Sequence, residues 1–159
     1  MPWEHYNEQQ WADLTAAAPQ IALAVAAASG STGQTDSELE AFLRLVQETA
    51  ESQPRTTLLG RLASDVSGRL AGGMEPPGED VIADGIHAAR RAGALLAVHP
   101  DEQQAREVRL WLLEVARTVA AAAKEGGVLG IGGREVSKPE QETLMSIADA
   151  LGVPLAVEE

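Results

Sequence analysis

The chain has 159 residues, with 24 acidic against 12 basic side chains and a formal charge of −12. That length has room for one sizeable core, while the charge argues against binding to phosphate backbones or anionic membrane surfaces. The absence of cysteine excludes disulfides, thiolate metal sites and cysteine nucleophiles. Alanine supplies 28 residues and aromatics only five, a bias toward closely packed helices and away from strands.

In chain order, the N-terminal Met-Pro-Trp-Glu-His-Tyr-Asn-Glu has neither the basic nor the apolar region of a signal peptide. The longest apolar run, residues 21–28, falls short of the roughly 20 residues that cross a bilayer. A cytoplasmic protein with no direct membrane insertion is expected. Asn7 is placed to cap a short first helix carrying Trp11 and Leu14, and Pro19 to open a second helix reaching Ala28. Ser29-Gly-Ser-Thr-Gly-Gln34 breaks that helix. Thr35-Asp-Ser-Glu38 then has capping-box spacing and opens a helix with Leu39, Phe42, Leu43 and Val46 on its inner face.

Pro54 is expected to start the next helix, with a stripe of Leu58, Leu62, Val66 and Leu70. The loop at residues 71–78, rich in Gly and Pro, divides the single expected domain, residues 1–159, nearly in half. A helix over residues 79–98 should bury Ile82, Ile86, Ala89, Gly93 and Leu96. The longest helix, residues 100–124, carries Val108, Trp111, Leu112, Val115 and Val119. After a glycine loop, Ser137-Lys-Pro-Glu140 forms a second capping box. It opens a last helix with Leu144, Ile147, Ala148 and Leu151, stopped at Gly152. No segment alternates for long enough to be a strand, so an all-α fold of about seven helices is expected.

Two stretches have the same design. An Ala-rich apolar helix, a Gly loop, a cap-x-x-Glu and a second apolar helix occur at residues 21–48 and again at 118–150. Thr35 matches Ser137, Glu38 matches Glu140, Glu40 matches Glu142 and Phe42 matches Leu144. Each unit is a helical hairpin whose apolar faces need a partner. The economical arrangement packs the hairpins together with pseudo-two-fold symmetry and wraps the middle helices around them. Carboxylates in the opening turns suit the helix dipole. Asp36, Glu40, Glu140 and Glu142 are also hard oxygen donors of the kind a divalent cation such as Ca²⁺ or Mg²⁺ takes. Helix capping alone accounts for the same residues, and Ser29-Gly-Ser-Thr-Gly-Gln34 has no carboxylate to add.

Residues 26–46, 119–127 and 136–153 together resemble the two helical hairpins of TerB-like domains, known from bacterial tellurite-resistance proteins. The resemblance implies an all-helical cytoplasmic bacterial domain acting in a stress response. Metal ions or protein partners are its suspected ligands, and no catalytic chemistry is assigned. Where that family has Ala-Asp-Gly, this chain has Ser29 before the glycine and a neutral loop, which weakens an inherited metal site in the first unit.

The remaining motifs carry little chemistry. Gly126-Gly-Val-Leu-Gly-Ile-Gly-Gly133 follows a helix and lacks the Lys-Ser/Thr of a phosphate loop. It reads as a turn that tucks Val128, Leu129 and Ile131 against the core or, if they are exposed, docks a protein partner or a second copy of the chain. His5, His87 and His99 show no metal spacing, and no serine lies in a nucleophile elbow. Arg90, Arg91, Arg106 and Arg109 could form a basic patch for an acidic partner, or a solvated mixed face with Glu102, Glu107 and Glu114. The expectation is a noncatalytic adaptor or sensor without a cofactor. Cation binding is the first alternative, and an enzyme with a dispersed site is the second.

Overall fold

The computed structural model describes residues 2–29, 35–74, 78–126 and 138–155. After a short 3-10 helix at Pro2–His5 come six α-helices: α1 (Glu8–Ser29), α2 (Thr35–Ser52), α3 (Leu58–Leu70), α4 (Val81–Ala97), α5 (Glu102–Gly126) and α6 (Lys138–Leu151). No strand occurs among the described residues, so the all-helical expectation holds. The core draws on all six helices.

The described residues form one α-helix fewer than expected because Pro19 does not start a new helix. It lies inside α1, which runs unbroken through it. A mid-helix proline removes one backbone hydrogen bond and crowds the preceding turn, at a cost of about 3 kcal/mol. Packing on either side outweighs that cost: Ala17, Ala18, Ile21, Ala22, Ala24 and Val25 are all fully buried. A helix apolar on most of its circumference belongs at the centre of a bundle, and α1 packs against α2, α3, α4, α5 and α6. By length and composition it could also cross a membrane, but 56% of its apolar window is buried inside the fold.

The helix ends follow local chemistry. The Asn7 carboxamide accepts the Gln10 N–H at 2.8 Å, while Gln10 Oε1 accepts the Asn7 N–H at 2.9 Å, a reciprocal cap. α3 begins at Leu58, four residues after the expected Pro54. Thr57 is its cap, with Oγ1 accepting the Gly60 N–H at 3.0 Å and donating to the Pro54 carbonyl at 2.7 Å. Gly60 is required there, since a Cβ would sit 1.9 Å from that same carbonyl oxygen. The Leu58 N–H is taken by Gln104 Oε1 of α5 at 2.7 Å, so a neighbouring helix completes the cap. Asp101 caps α5, accepting the N–H groups of Gln103 and Gln104 and, at 2.9 Å, the Gln104 side chain. These bonds, the Gln104 side chain first, hold its carboxyl below the usual carboxylate range. α6 stops at Gly152, with φ +77. Gly152 N–H bonds to Asp149 O and Val153 N–H to Ala148 O, both at 3.1 Å, the Schellman pattern.

Close crossings depend on small residues. Gly85 of α4 lies against Ala24 and the Gln20 carbonyl of α1, and Gly93 lies against the Ala150 carbonyl of α6. Arg109 of α5 spans the second crossing, donating to the carbonyls of Leu151 and Gly93. It leaves the basic patch expected with Arg90, Arg91 and Arg106, which remain exposed. The predicted stripe of α5 is buried throughout, with Trp111 Nε1 donating to Thr49 Oγ1 of α2 at 2.9 Å. Leu43 was expected on the inner face of α2, but it is 40% exposed. Leu45, two residues on, packs against the core instead.

Candidate functional site

The hairpins formed by α1 with α2 and by α5 with α6 lie together in the bundle. α1 touches both α5 and α6, and α2 touches α5. The second helix of each hairpin begins within a residue of its expected cap, α2 at Thr35 and α6 at Lys138. Cap spacing is a local signal, which is why it locates these starts so closely.

The matched glutamates Glu38 and Glu140 occupy the opening turns of these helices and are 0% and 4% exposed. Carboxylates are seldom buried so completely. A helix N-terminus is one of the few apolar surroundings that can hold one, because its free N–H groups and dipole offset the charge. At Glu38 the loop side contributes as well. Ser29, the last residue of α1, shares its hydroxyl between the Ala26 carbonyl at 2.7 Å and Glu38 Oε2 at 3.3 Å. Ser29 thus ties the end of one helix to the start of the next.

The other expected ligands are arranged differently. Glu40 and Glu142 are exposed, two residues beyond the buried pair and rotated well away on the helix surface. Asp36 lies in the first turn of α2, with its side chain outside the described residues, as are Val128, Leu129 and Ile131. No group of three or more His, Asp or Glu is placed to share a cation among the described residues. Glu38, the more deeply buried of the pair, lies outside the expected ligand set of Asp36, Glu40, Glu140 and Glu142. Its match to Glu140 is the sequence signal that points to it.

A second cluster gathers at the N-terminal end. The His99 ring is 5% exposed, with the His5 ring edge-on at 5.2 Å and Tyr6 tilted over it at 5.8 Å. His99 Nδ1 accepts the Asp101 N–H at 3.0 Å. Tyr6 donates its hydroxyl to the Leu95 carbonyl at 2.9 Å. Burial pushes the phenol up to about 12 despite the opposing pull of the Arg109 charge. Trp11 donates to Asp65 Oδ2 at 2.8 Å, which also receives Arg61 Nε at 3.2 Å. These side chains cover one end of the core and fasten the N-terminal segment to α3 and α4. His87 of α4 is exposed.

Comparison with protein-family models, with curated proteins and with solved structures gives no match.

Proposed function

We propose that this chain is a noncatalytic helical domain of the TerB-like kind, acting as an adaptor or sensor in a bacterial stress response. The observation that carries the reading is the burial of Glu38 and Glu140 at matched positions of two hairpins that lie against each other. Chance resemblance between two Ala-rich helices would not require both third-position glutamates to be buried. The pseudo-two-fold relation between the hairpins belongs to the same proposal. In this reading the cytoplasmic domain works by holding a protein partner or a second copy of itself. Its test is deletion of the coding segment in the source strain, followed by growth on potassium tellurite and crosslinking of the tagged chain before and after exposure. The reading expects increased sensitivity and a crosslinked species that changes on exposure. Unchanged growth together with a chain that stays monomeric and uncrosslinked overturns it.

The second reading takes a divalent cation as ligand, and the two buried carboxylates favour it. Calorimetric titration with Ca²⁺, Mg²⁺ and Zn²⁺ tests it, with Glu40→Gln and Glu142→Gln as variants. Saturable heat that both substitutions reduce supports Asp36, Glu40, Glu140 and Glu142 as the ligand set. Heat unaffected by either removes Glu40 and Glu142 from the ligand set, and no heat at millimolar metal removes the reading.

A further inference from the structure

α1, the end of α3 and the start of α4 flank a solvent-open pocket of about 430 Å³. That lies within the range of about 300–1,000 Å³ typical of small-molecule sites. Backbone, where side chains would otherwise pack, explains the hollow: Gly72, Gly73 and Gly78 line it. Gly73 has φ +98, and a Cβ there would meet nothing within 4 Å. Leu23, Leu70 and Val81 supply apolar wall.

Three polar side chains line the pocket: Gln20, half-buried, and Arg69 and Asp84, both exposed to solvent at its rim. Arg69 is aimed by a specific contact. Its Nη1 donates at 2.9 Å to Thr15 Oγ1, a buried hydroxyl already committed as donor to the Ala12 carbonyl at 3.0 Å. The guanidinium has five N–H groups, so one anchoring bond leaves most of its fork for a carboxylate. The Asp84 carboxylate makes no hydrogen bond or ion pair among the described residues, and the Gln20 amide oxygen is buried with no donor. A buried acceptor left without a donor is costly, so a ligand N–H is favoured beside it. One cationic and one anionic group at the rim of that apolar wall complement a ligand carrying the opposite pair.

We propose that this cavity binds a small zwitterion with an apolar body, of the class of an aliphatic α-amino acid. Its carboxylate meets Arg69, its ammonium meets Asp84, and its side chain lies against Leu23, Leu70 and Val81. The site uses neither the buried glutamates nor the family reading, so it stands or falls separately from them.

The test is a nitrogen–proton correlation titration of the full chain with L-leucine and L-methionine, alongside 4-methylpentanoate and isopentylamine, which each lack one charge of leucine. Saturable shifts are expected at the amides of Leu23, Leu70, Gly73 and Val81, with a Kd near or below about 1 mM for an amino acid. Each single-charge analogue is expected to bind about tenfold more weakly, as is L-leucine to Arg69→Gln or Asp84→Asn. Ala16→Leu fills the cavity while keeping both charges, and should abolish the shifts with circular dichroism unchanged. The proposal is overturned if neither amino acid gives saturable shifts at those amides at about 10 mM, or if Arg69→Gln and Ala16→Leu both bind like the parent chain.

Discussion

Replacing Gly85 with alanine inserts one carbon into the seam between α1 and α4. The new Cβ would lie 2.4 Å from Ala24 Cβ and 2.7 Å from the Gln20 carbonyl oxygen. Carbon atoms settle at about 3.5–4.0 Å, so the helices must separate locally by roughly 1 Å. Neither neighbour can rotate aside, because one is a Cβ and the other is backbone. Overpacking of this kind costs about 1–3 kcal/mol or more, while alanine in place of glycine favours the helix by about 1 kcal/mol. With the contact at the severe end, the expected net loss is about 2 kcal/mol, a fall in Tm of about 4–8 °C for a chain of this size. Gly68 provides the control. It too is helical, but a Cβ there meets nothing within 4 Å. Gly68→Ala should therefore gain about 0.5–1 kcal/mol from propensity alone. Urea unfolding, followed by circular dichroism and tryptophan fluorescence, reads both variants. If Gly85→Ala is stabilised as Gly68→Ala is, the close crossing of α1 and α4 is wrong. The same displacement would move Val81 and Asp84 relative to Gln20, so Gly85→Ala should also weaken amino-acid binding in the cavity.

Two further outcomes can be measured directly. Arg109→Met removes donors from the Leu151 and Gly93 carbonyls and should cost about 2 kcal/mol. Faster hydrogen exchange should be concentrated in α6, and unchanged α6 protection would refute the clamp. Tyr6 is the chain's sole tyrosine, so ultraviolet absorbance reports its ionisation alone. The folded chain should titrate near 12, against about 10 once unfolded. The folded state then retains the proton more tightly, so stability is unaffected below pH 10 and falls by about 2 kcal/mol as pH rises from 10 to 12. A folded-state midpoint near 10 would show that the phenol is not buried against Leu95.

Helix identity and most helix ends are legible in the sequence because their causes are local. Asn7 caps α1, Gly152 stops α6, and Val108, Trp111, Leu112, Val115 and Val119 face inward on α5, all as expected. Capping involves groups within a turn of one another, and a stripe at helical spacing faces the core whichever partner covers it. The candidate carboxylates were legible as helix starts, but their burial was not. Glu38 and Glu40 differ by two positions, about 200° around the helix, and the neighbours alone determine which one points inward.

Composition, the repeated cap-x-x-Glu pattern and the 3.6-residue period by themselves determine an acidic, strand-poor chain of amphipathic helices. Its tertiary structure decides everything that depends on what lies across a gap. Pro19 stays inside α1 because the packing around that helix outweighs a lost hydrogen bond. Leu43 is left at the surface, and Arg109 turns from a surface patch to two carbonyls on neighbouring helices. The cavity beside Arg69 and Asp84 has no sequence signature at all, since it is a volume that three separate segments fail to fill. Local chemistry acts within a few residues of chain, whereas burial, close approach and empty space are properties of pairs of surfaces brought together only by folding.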